Sequence, residues 1–304
     1  MYRQSIQFPA KDAAFKDDVH ALGTVVGKVV REQGGEEFFE WVEGDRQAAI
    51  LRREGDAAGD AALRLRTRGR TPEAARDLTR AFAIWFQAVN TAEKVHRVRR
   101  RRQYLNDSST VQPGGIVDCL ARLKREGRDL QQVIALISSL SIEPVFTAHP
   151  TESTRRTILR KHQRIAQDLL RRLNPALTSG ELRTLWAKVH LEFTTIWQTE
   201  DHPRERLTVA DEREHVLFFL VEVVYEVIPA FYEEVEASLI GVFGPEARGV
   251  ALPDVLRFGS WVGGDMDGHP DVHAKTIRES CARHHQLIIN RYFTEAQELG
   301  EKLS

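Results

Sequence analysis

The sequence has little cysteine and no long apolar run. Cys119 and Cys281 are the only cysteines among its 304 residues. Two isolated cysteines make neither a disulfide framework nor a zinc site, which favours a reducing compartment. The N-terminal residues lack the apolar stretch of a signal peptide, and the longest apolar run, residues 216–221, is too short to span a bilayer. We therefore expect a cytoplasmic protein with no membrane segment.

A large excess of either charge is also missing. The 43 Lys and Arg residues nearly balance the 44 Asp and Glu residues, which argues against a dedicated nucleic-acid binder. With 42% apolar and 29% charged residues, the composition is that of a folded soluble protein. One basic run has three possible roles: a solvated helix terminus, a subunit contact or a nucleic-acid binding site. It consists of Arg97, Arg99, Arg100, Arg101 and Arg102.

Strand-forming segments are scarce, so the predicted fold class is mainly α. Apolar periodicity predicts ten helices, over residues 17–33, 36–54, 57–68, 72–100, 116–125, 129–139, 151–173, 179–198, 209–240 and 272–299. Residues 142–148 have the pattern of a buried parallel strand, and residues 255–262 are a second strand candidate. Because two strands cannot bury a parallel sheet, the rest of a sheet or barrel is expected elsewhere.

The change of pattern near residue 140 suggests two regions. We predict an N-terminal helical region over residues 1–140 and the start of an incomplete barrel, with long helical insertions, over residues 141–304. The helix over 209–240 is apolar on more than one face, so we expect it to be deeply buried. Pro229 is expected to kink it.

The first candidate site follows the first strand. His149 would stand at the carboxyl end of that strand, where functional residues of α/β proteins lie. An imidazole titrates near neutral pH and suits proton transfer. Arg155 and Arg156 follow in the first turns of the next helix, an arrangement that favours an anion. The alternative is a structural histidine beside two solvated arginines.

The second candidate site, residues 258–270, follows the second strand. Its glycines allow a sharp turn, and its two carboxylates, Asp265 and Asp267, can bind a cation, accept hydrogen bonds or stabilise the turn. Two other motifs fit poorly. A haloacid dehalogenase-like phosphatase requires a hydroxyl or apolar residue where His269 stands, and a calcium loop requires Glu where Thr276 stands.

Together, the two motifs resemble the N-terminal signatures of the phosphoenolpyruvate carboxylase family. Residues 145–152 with the arginine pair resemble its histidine signature, and residues 259–270 resemble its second signature; segments at 18–30, 81–93, 199–201 and 211–212 agree in order. The resemblance implies helices around an eight-stranded TIM-type barrel. It also implies a lyase that fixes carbon dioxide, converting phosphoenolpyruvate and bicarbonate to oxaloacetate and phosphate. Mg²⁺ or Mn²⁺, allosteric control and a homotetramer are implied for the complete enzyme.

The resemblance also assigns roles to residues of this chain. It implies that His149 handles the proton of carboxyphosphate and that Trp261 lines the apolar pocket around the substrate methylene group. Three arginines match positions tied to binding a phosphorylated activator: Arg155, Arg156 and Arg204.

Two departures from the family pattern lie in the second motif. Met266 stands where the family usually has Arg, and His269 where it usually has Asn, which weakens the case for an anion there. The resemblance places the metal ligands, the mobile catalytic loop and the inhibitor site in the C-terminal half of the enzyme, outside this segment. We therefore expect the isolated chain to be inactive. The alternative is a truncated paralogue that acts as a non-catalytic helical binding or regulatory module.

Overall fold

A computed structural model describes residues 9–107, 109–147, 155–199, 208–266 and 270–303, and it is mainly helical. Its principal elements are α1 (Ala13–Gly34), α2 (Glu36–Arg53), α3 (Ala57–Thr67), α4 (Pro72–Asn106), α5 (Ile116–Arg125), α6 (Leu130–Ser138), β1 (Val145–Phe146), α7 (Arg156–Arg171), α8 (Ser179–Trp197), α9 (Val209–Phe219), α10 (Tyr225–Phe243), β2 (Gly259–Ser260) and α11 (Ala274–Leu303). The predicted helices are confirmed, except that α7 begins at Arg156 rather than near residue 151: the Arg155 backbone is extended, and residues 151–154 lie outside the described residues. The one predicted over 209–240 is divided into α9 and α10 by a π-helical turn, Leu220–Val224.

Several helices begin where the sequence supplies a cap. Asp129, Thr178 and Thr208 each accept a hydrogen bond from the backbone three residues later, and the side chain of that later residue bonds back to the cap. Thr71, which precedes the first residue of α4, accepts a hydrogen bond from the Ala74 N–H at 3.2 Å. These bonds satisfy backbone donors that a helix start leaves without partners.

The chain divides into two compact units. The first comprises residues 1–106 and 154–202, and the second comprises residues 107–153 and 203–304. Each unit is therefore built from two separate stretches of sequence. The boundary predicted near residue 140 marks where a barrel would begin, which is a different division from these two units, and it stays a prediction.

The first unit has a continuous apolar core in which α1 packs against α4 and α8, and α7 packs against α4 and α8. The side chains at its centre are almost fully buried and recur at helical spacing: Leu22, Val29, Ile84, Val95, Ile158, Ile165, Leu169, Val189, Phe193 and Ile196. Burying each large side chain of this kind contributes about 1.5–3 kcal/mol. This core holds together helices from both stretches of the unit.

The basic run near the end of α4 is not a uniform charged surface. Arg99 donates to the Asp18 carboxylate at 2.5 Å, and Arg172 pairs with the other oxygen of that carboxylate. Asp18 is fully buried. Arg97, in contrast, is exposed and pairs with Glu93. Since Arg99 stabilises the core, it is not part of a solvated terminus, and the nucleic-acid hypothesis loses one of its cations.

A neutral histidine links α7 to α4. The two ring nitrogens of His162 lie 2.9 Å from the Gln87 side-chain oxygen and 3.3 Å from the Thr91 hydroxyl. Burial and the nearby Lys94 ammonium lower the pKa of His162 to about 4. The imidazole is therefore uncharged at pH 7 and connects the helices by hydrogen bonds.

The second unit covers its helices less completely. Its core cluster combines Leu120 and Val133 with Leu239 of α10 and Ala247. In the stretch Val209–Phe243, only 11% of the most apolar window is buried. The prediction of deep burial is therefore wrong, because the described part of the second unit supplies too few elements to cover this long helical stretch.

The same stretch, Val209–Phe243, is long and apolar enough to cross a membrane, by length and composition alone. The core helix of a soluble protein meets the same criterion, so we draw no conclusion about a membrane from it. Pro229 lies inside α10, and the kink expected there stays a prediction.

Candidate functional site

The strands predicted over residues 142–148 and 255–262 are much shorter in the structure, with two residues each, and β1 and β2 pair in parallel. Val145 lies opposite Gly259, and an earlier bridge joins Ile142 to Leu256 in the same register. Because parallel strands present their carboxyl ends at one edge, the two sequence motifs leave the pair side by side. The predicted burial of the first strand is wrong: Ile142 and Val145 are 44% and 43% exposed, since no described element covers that side.

Trp261 stands at this shared edge. Its N–H donates to the carbonyl of Phe146 at 2.9 Å, which continues the hydrogen bonding between the strands. Its side chain is 54% exposed, so an apolar ring faces outward beside the point where the first motif continues. His149 of that motif lies outside the described residues, as does Arg204.

A tight turn follows Trp261 and fixes the backbone of the second motif. The Trp261 carbonyl accepts hydrogen bonds from the N–H groups of Gly264, at 3.0 Å, and Asp265, at 2.9 Å. The φ angle of Gly263 is 78°, which glycine adopts without strain. The glycine pair predicted to make a sharp turn does so.

Ser280 of α11 supports this turn directly. A Cβ atom added to Gly263 would stand 2.2 Å from the Ser280 hydroxyl oxygen and 3.7 Å from Val209 of α9. Ser280 is only 5% exposed. The Gly263 backbone therefore packs against both α9 and α11. Ser280 was not predicted as part of the site, because a small polar residue on a helix resembles any surface position.

Three buried polar atoms between α9 and α11 lack a hydrogen-bond partner within the described ranges: Arg213 Nε, Ser280 Oγ and His284 Nε2. Burial and the nearby Arg213 charge lower the pKa of His284. Leaving such atoms without partners costs about 1–3 kcal/mol each. A bidentate ion pair between α11 and α9 offsets part of that cost, since Arg283 donates to both Glu214 oxygens at 2.8 and 2.9 Å.

Arg155 and Arg156 lie at the start of α7, which belongs to the first unit. The Arg155 carbonyl accepts hydrogen bonds from Ile158 and Leu159, so this residue caps the helix with its backbone. Arg155 is half-buried and Arg156 is exposed. Both residues lie at a helix N-terminus, as predicted, and anion binding there stays a prediction. The strand edge, in contrast, belongs to the second unit.

Among the side chains that the structure describes, no three His, Cys, Asp or Glu residues come together as a metal site. Asp265 follows the turn, and Asp267 lies outside the described residues. The described residues therefore do not fit a divalent metal, and no chemical step is assigned to one in this segment.

Comparison with known proteins decides the family. A family profile for phosphoenolpyruvate carboxylase matches residues 15–304. The chain belongs to the phosphoenolpyruvate carboxylase family. A phosphoenolpyruvate carboxylase of Xanthomonas campestris pv. campestris (strain 8004) is 43% identical over 304 residues, covering 100% of this chain and 33% of that protein. One from Burkholderia mallei (strain SAVP1) is 38% identical over 296 residues, covering 97% and 29%.

The chain therefore spans about a third of the length of the curated phosphoenolpyruvate carboxylases it matches. The match includes both strands, the Trp261 turn and the start of α7. The resemblance inferred from the motifs is confirmed. The small number of strands is consistent with a segment of a larger phosphoenolpyruvate carboxylase fold.

Replacing Gly263 by alanine is expected to destabilise the second unit by about 2–5 kcal/mol, the sum of a positive-φ cost and overpacking against Ser280. Urea denaturation followed by circular dichroism measures the loss. Gly264→Ala is the matched control, because a Cβ there would meet nothing closer than the Trp261 carbonyl at 3.7 Å. Adding Ser280→Ala to Gly263→Ala removes the hydroxyl without placing a glycine inside α11, and it should recover part of the loss. A double variant no more stable than Gly263→Ala would show that the hydroxyl contact is not the cause.

Proposed function

We propose that this chain is the N-terminal part of a phosphoenolpyruvate carboxylase, which converts phosphoenolpyruvate and bicarbonate to oxaloacetate and phosphate. The observation that carries the proposal is the hydrogen bond from Trp261 to Phe146, which brings both family motifs to one strand edge. The family match over residues 15–304 supports the same reaction. In this proposal the edge forms one wall of the active site.

In the proposed reaction, the phosphoryl group of phosphoenolpyruvate passes to bicarbonate, giving carboxyphosphate and the enolate of pyruvate. His149 then takes the proton of carboxyphosphate, which breaks down to carbon dioxide and phosphate. The imidazolium so formed stabilises the departing phosphate. The enolate carbon attacks carbon dioxide to give oxaloacetate.

The proposed role of Trp261 is to keep water from the reacting carbon. Its ring is apolar, lies at the strand edge and is held by a turn that Gly263 and Ser280 fix. A dry wall beside the methylene carbon of the enolate disfavours protonation to pyruvate. The exposed indole is thus suited to line a pocket whose other walls come from the rest of the enzyme.

The remaining features of the proposal concern regulation and assembly. Arg155, Arg156 and Arg204 are proposed to bind a phosphorylated activator, and Met266 removes one cation that relatives usually have in the second motif. The divalent metal, Mg²⁺ or Mn²⁺, is proposed to bind outside this segment. We further propose that the complete enzyme is an allosteric homotetramer in the cytoplasm.

A fusion protein tests this function. This chain would replace the matching third of the Xanthomonas campestris relative, and oxaloacetate would be coupled to NADH oxidation by malate dehydrogenase at saturating Mg²⁺ and bicarbonate. We expect the fusion to turn over, and neither the isolated chain nor the isolated remainder to do so. A folded fusion that makes no oxaloacetate would contradict the proposed function and favour the non-catalytic module. Steady turnover by the isolated chain would contradict its incompleteness.

A further inference from the structure

One residue of α11, Ser280, limits how closely that helix and the turn after Trp261 approach each other. The Ser280 side chain is 5% exposed, and a Cβ atom added to Gly263 would lie 3.2 Å from its Cβ and 2.2 Å from its hydroxyl oxygen. The Gly263 backbone therefore packs directly against the serine. The hydroxyl has no hydrogen-bond partner among the described residues, so what serine contributes at this contact is its small size.

The helices on either side of this contact are joined to each other. The same added Cβ atom would lie 3.7 Å from Val209, the first residue of α9. Arg283, three residues beyond Ser280 in α11, donates to both oxygens of Glu214 in α9 at 2.8 and 2.9 Å. Gly263 therefore lies against two helices that an ion pair holds together.

The position of the Gly263 turn determines where the Trp261 ring lies. Only Val262 separates the two residues, and its side chain is 4% exposed. The Trp261 backbone is bonded on both sides, since its N–H donates to the Phe146 carbonyl and its carbonyl accepts two N–H groups of the turn. Because the backbone on both sides of the ring is fixed, a shift of the turn at α11 would move the exposed indole.

We propose that Ser280 is a positioning residue for Trp261: its small side chain lets the turn pack against α11, and this packing sets where the indole ring lies at the strand edge. The inference rests on the proposed function, in which that ring keeps water from the methylene carbon of the enolate. When the ring is displaced, water gives a proton to that carbon and leaves as hydroxide. Pyruvate then forms in place of oxaloacetate, and the carbon dioxide departs unreacted.

A larger side chain at position 280 tests the positioning directly. Trp261 is the one tryptophan of the second unit, because the other four belong to the first: Trp41, Trp85, Trp186 and Trp197. In the 304-residue chain labelled with 5-fluorotryptophan, Ser280→Val should shift the ¹⁹F resonance of Trp261, which Trp261→Phe assigns, and leave the other four in place. Ser280→Ala keeps the side chain small and should leave all resonances in place. Ala282→Val, at an exposed position of the same helix, is the matched control and should do the same.

The product ratio tests the consequence in the fusion with the remainder of the Xanthomonas campestris relative. Malate dehydrogenase reports oxaloacetate, and lactate dehydrogenase added to it reports pyruvate. Ser280→Val should raise the ratio of pyruvate to oxaloacetate roughly tenfold to hundredfold, because a misplacement of about 1 Å can change a rate on that scale. In a Trp261→Ala background the same substitution should raise the ratio no further, since its effect acts through the ring.

Several results would overturn the proposal. An unmoved Trp261 resonance in Ser280→Val would show that α11 does not position the ring, whether or not the fusion is active. An unchanged product ratio, or an equal further rise in the Trp261→Ala background, would show that the serine does not act through the ring. An equal effect of Ser280→Ala or Ala282→Val would exclude side-chain size at position 280 as the cause. A fusion that makes no oxaloacetate contradicts the proposed function instead, and the resonance then decides the positioning of Trp261 by itself.

Discussion

Replacing Asp18 by alanine is expected to lower the free energy of unfolding of the first unit by about 3–5 kcal/mol, the cost of removing one partner from a buried ion pair. Asp18 has no exposed surface, and it receives Arg99 and Arg172 on its two oxygens. The side chains of these arginines are 11% and 23% exposed. Without the carboxylate, two largely buried positive charges would face each other with no compensation. Urea denaturation followed by tryptophan fluorescence measures the loss, because Trp85 and Trp186 belong to this unit.

Two variants separate the ion pair from other causes. Asp18→Asn keeps the volume but removes the charge, so it should lose nearly as much stability as alanine. Arg97→Ala removes an arginine of the same basic run whose side chain is 76% exposed, and it should cost at most about 1 kcal/mol. If Asp18→Asn were as stable as the unsubstituted chain, packing rather than charge would explain the position. If Arg97→Ala lost as much stability as Asp18→Ala, the overall charge of the basic run near the end of α4 would explain the loss, and the buried ion pair would not.

The helices were predictable because their signals are local. Apolar spacing places each helix, and caps such as Thr178 with Glu181 mark where one begins. The ion pairs of Asp18 were not predictable, since they join α1 to α4 and to the end of α7. A charge in an amphipathic helix gives no sign, by itself, of whether it faces solvent or a distant arginine.

The candidate site shows the same limit. The strand and glycine patterns predicted the two strand segments and the sharp turn after Trp261, because each depends on a short segment. That the two strands pair with each other was not predicted, since Val145 and Gly259 are far apart in the sequence. The contact of Gly263 with Ser280 depends on how α11 packs, which no short segment encodes. Burial of the helical stretch Val209–Phe243 failed as a prediction for a related reason. An apolar sequence indicates that a helix surface needs a packing partner, but it does not indicate whether that partner lies in the same segment of the protein.

Replacing His149 by asparagine in an active fusion is expected to lower kcat about 10²–10⁴-fold, the usual contribution of a positioned acid–base group. Asparagine retains hydrogen bonding but cannot take a proton near neutral pH, so the limb of the pH–rate profile near the histidine pKa should also disappear. His20→Asn is the matched control, because His20 is exposed on α1 and should leave kcat unchanged. If His149→Asn kept more than about a tenth of kcat, proton transfer by His149 would not contribute on that scale. An unchanged kcat with a raised KM would instead make His149 a binding residue, and the proton of carboxyphosphate would need another acceptor in the complete enzyme.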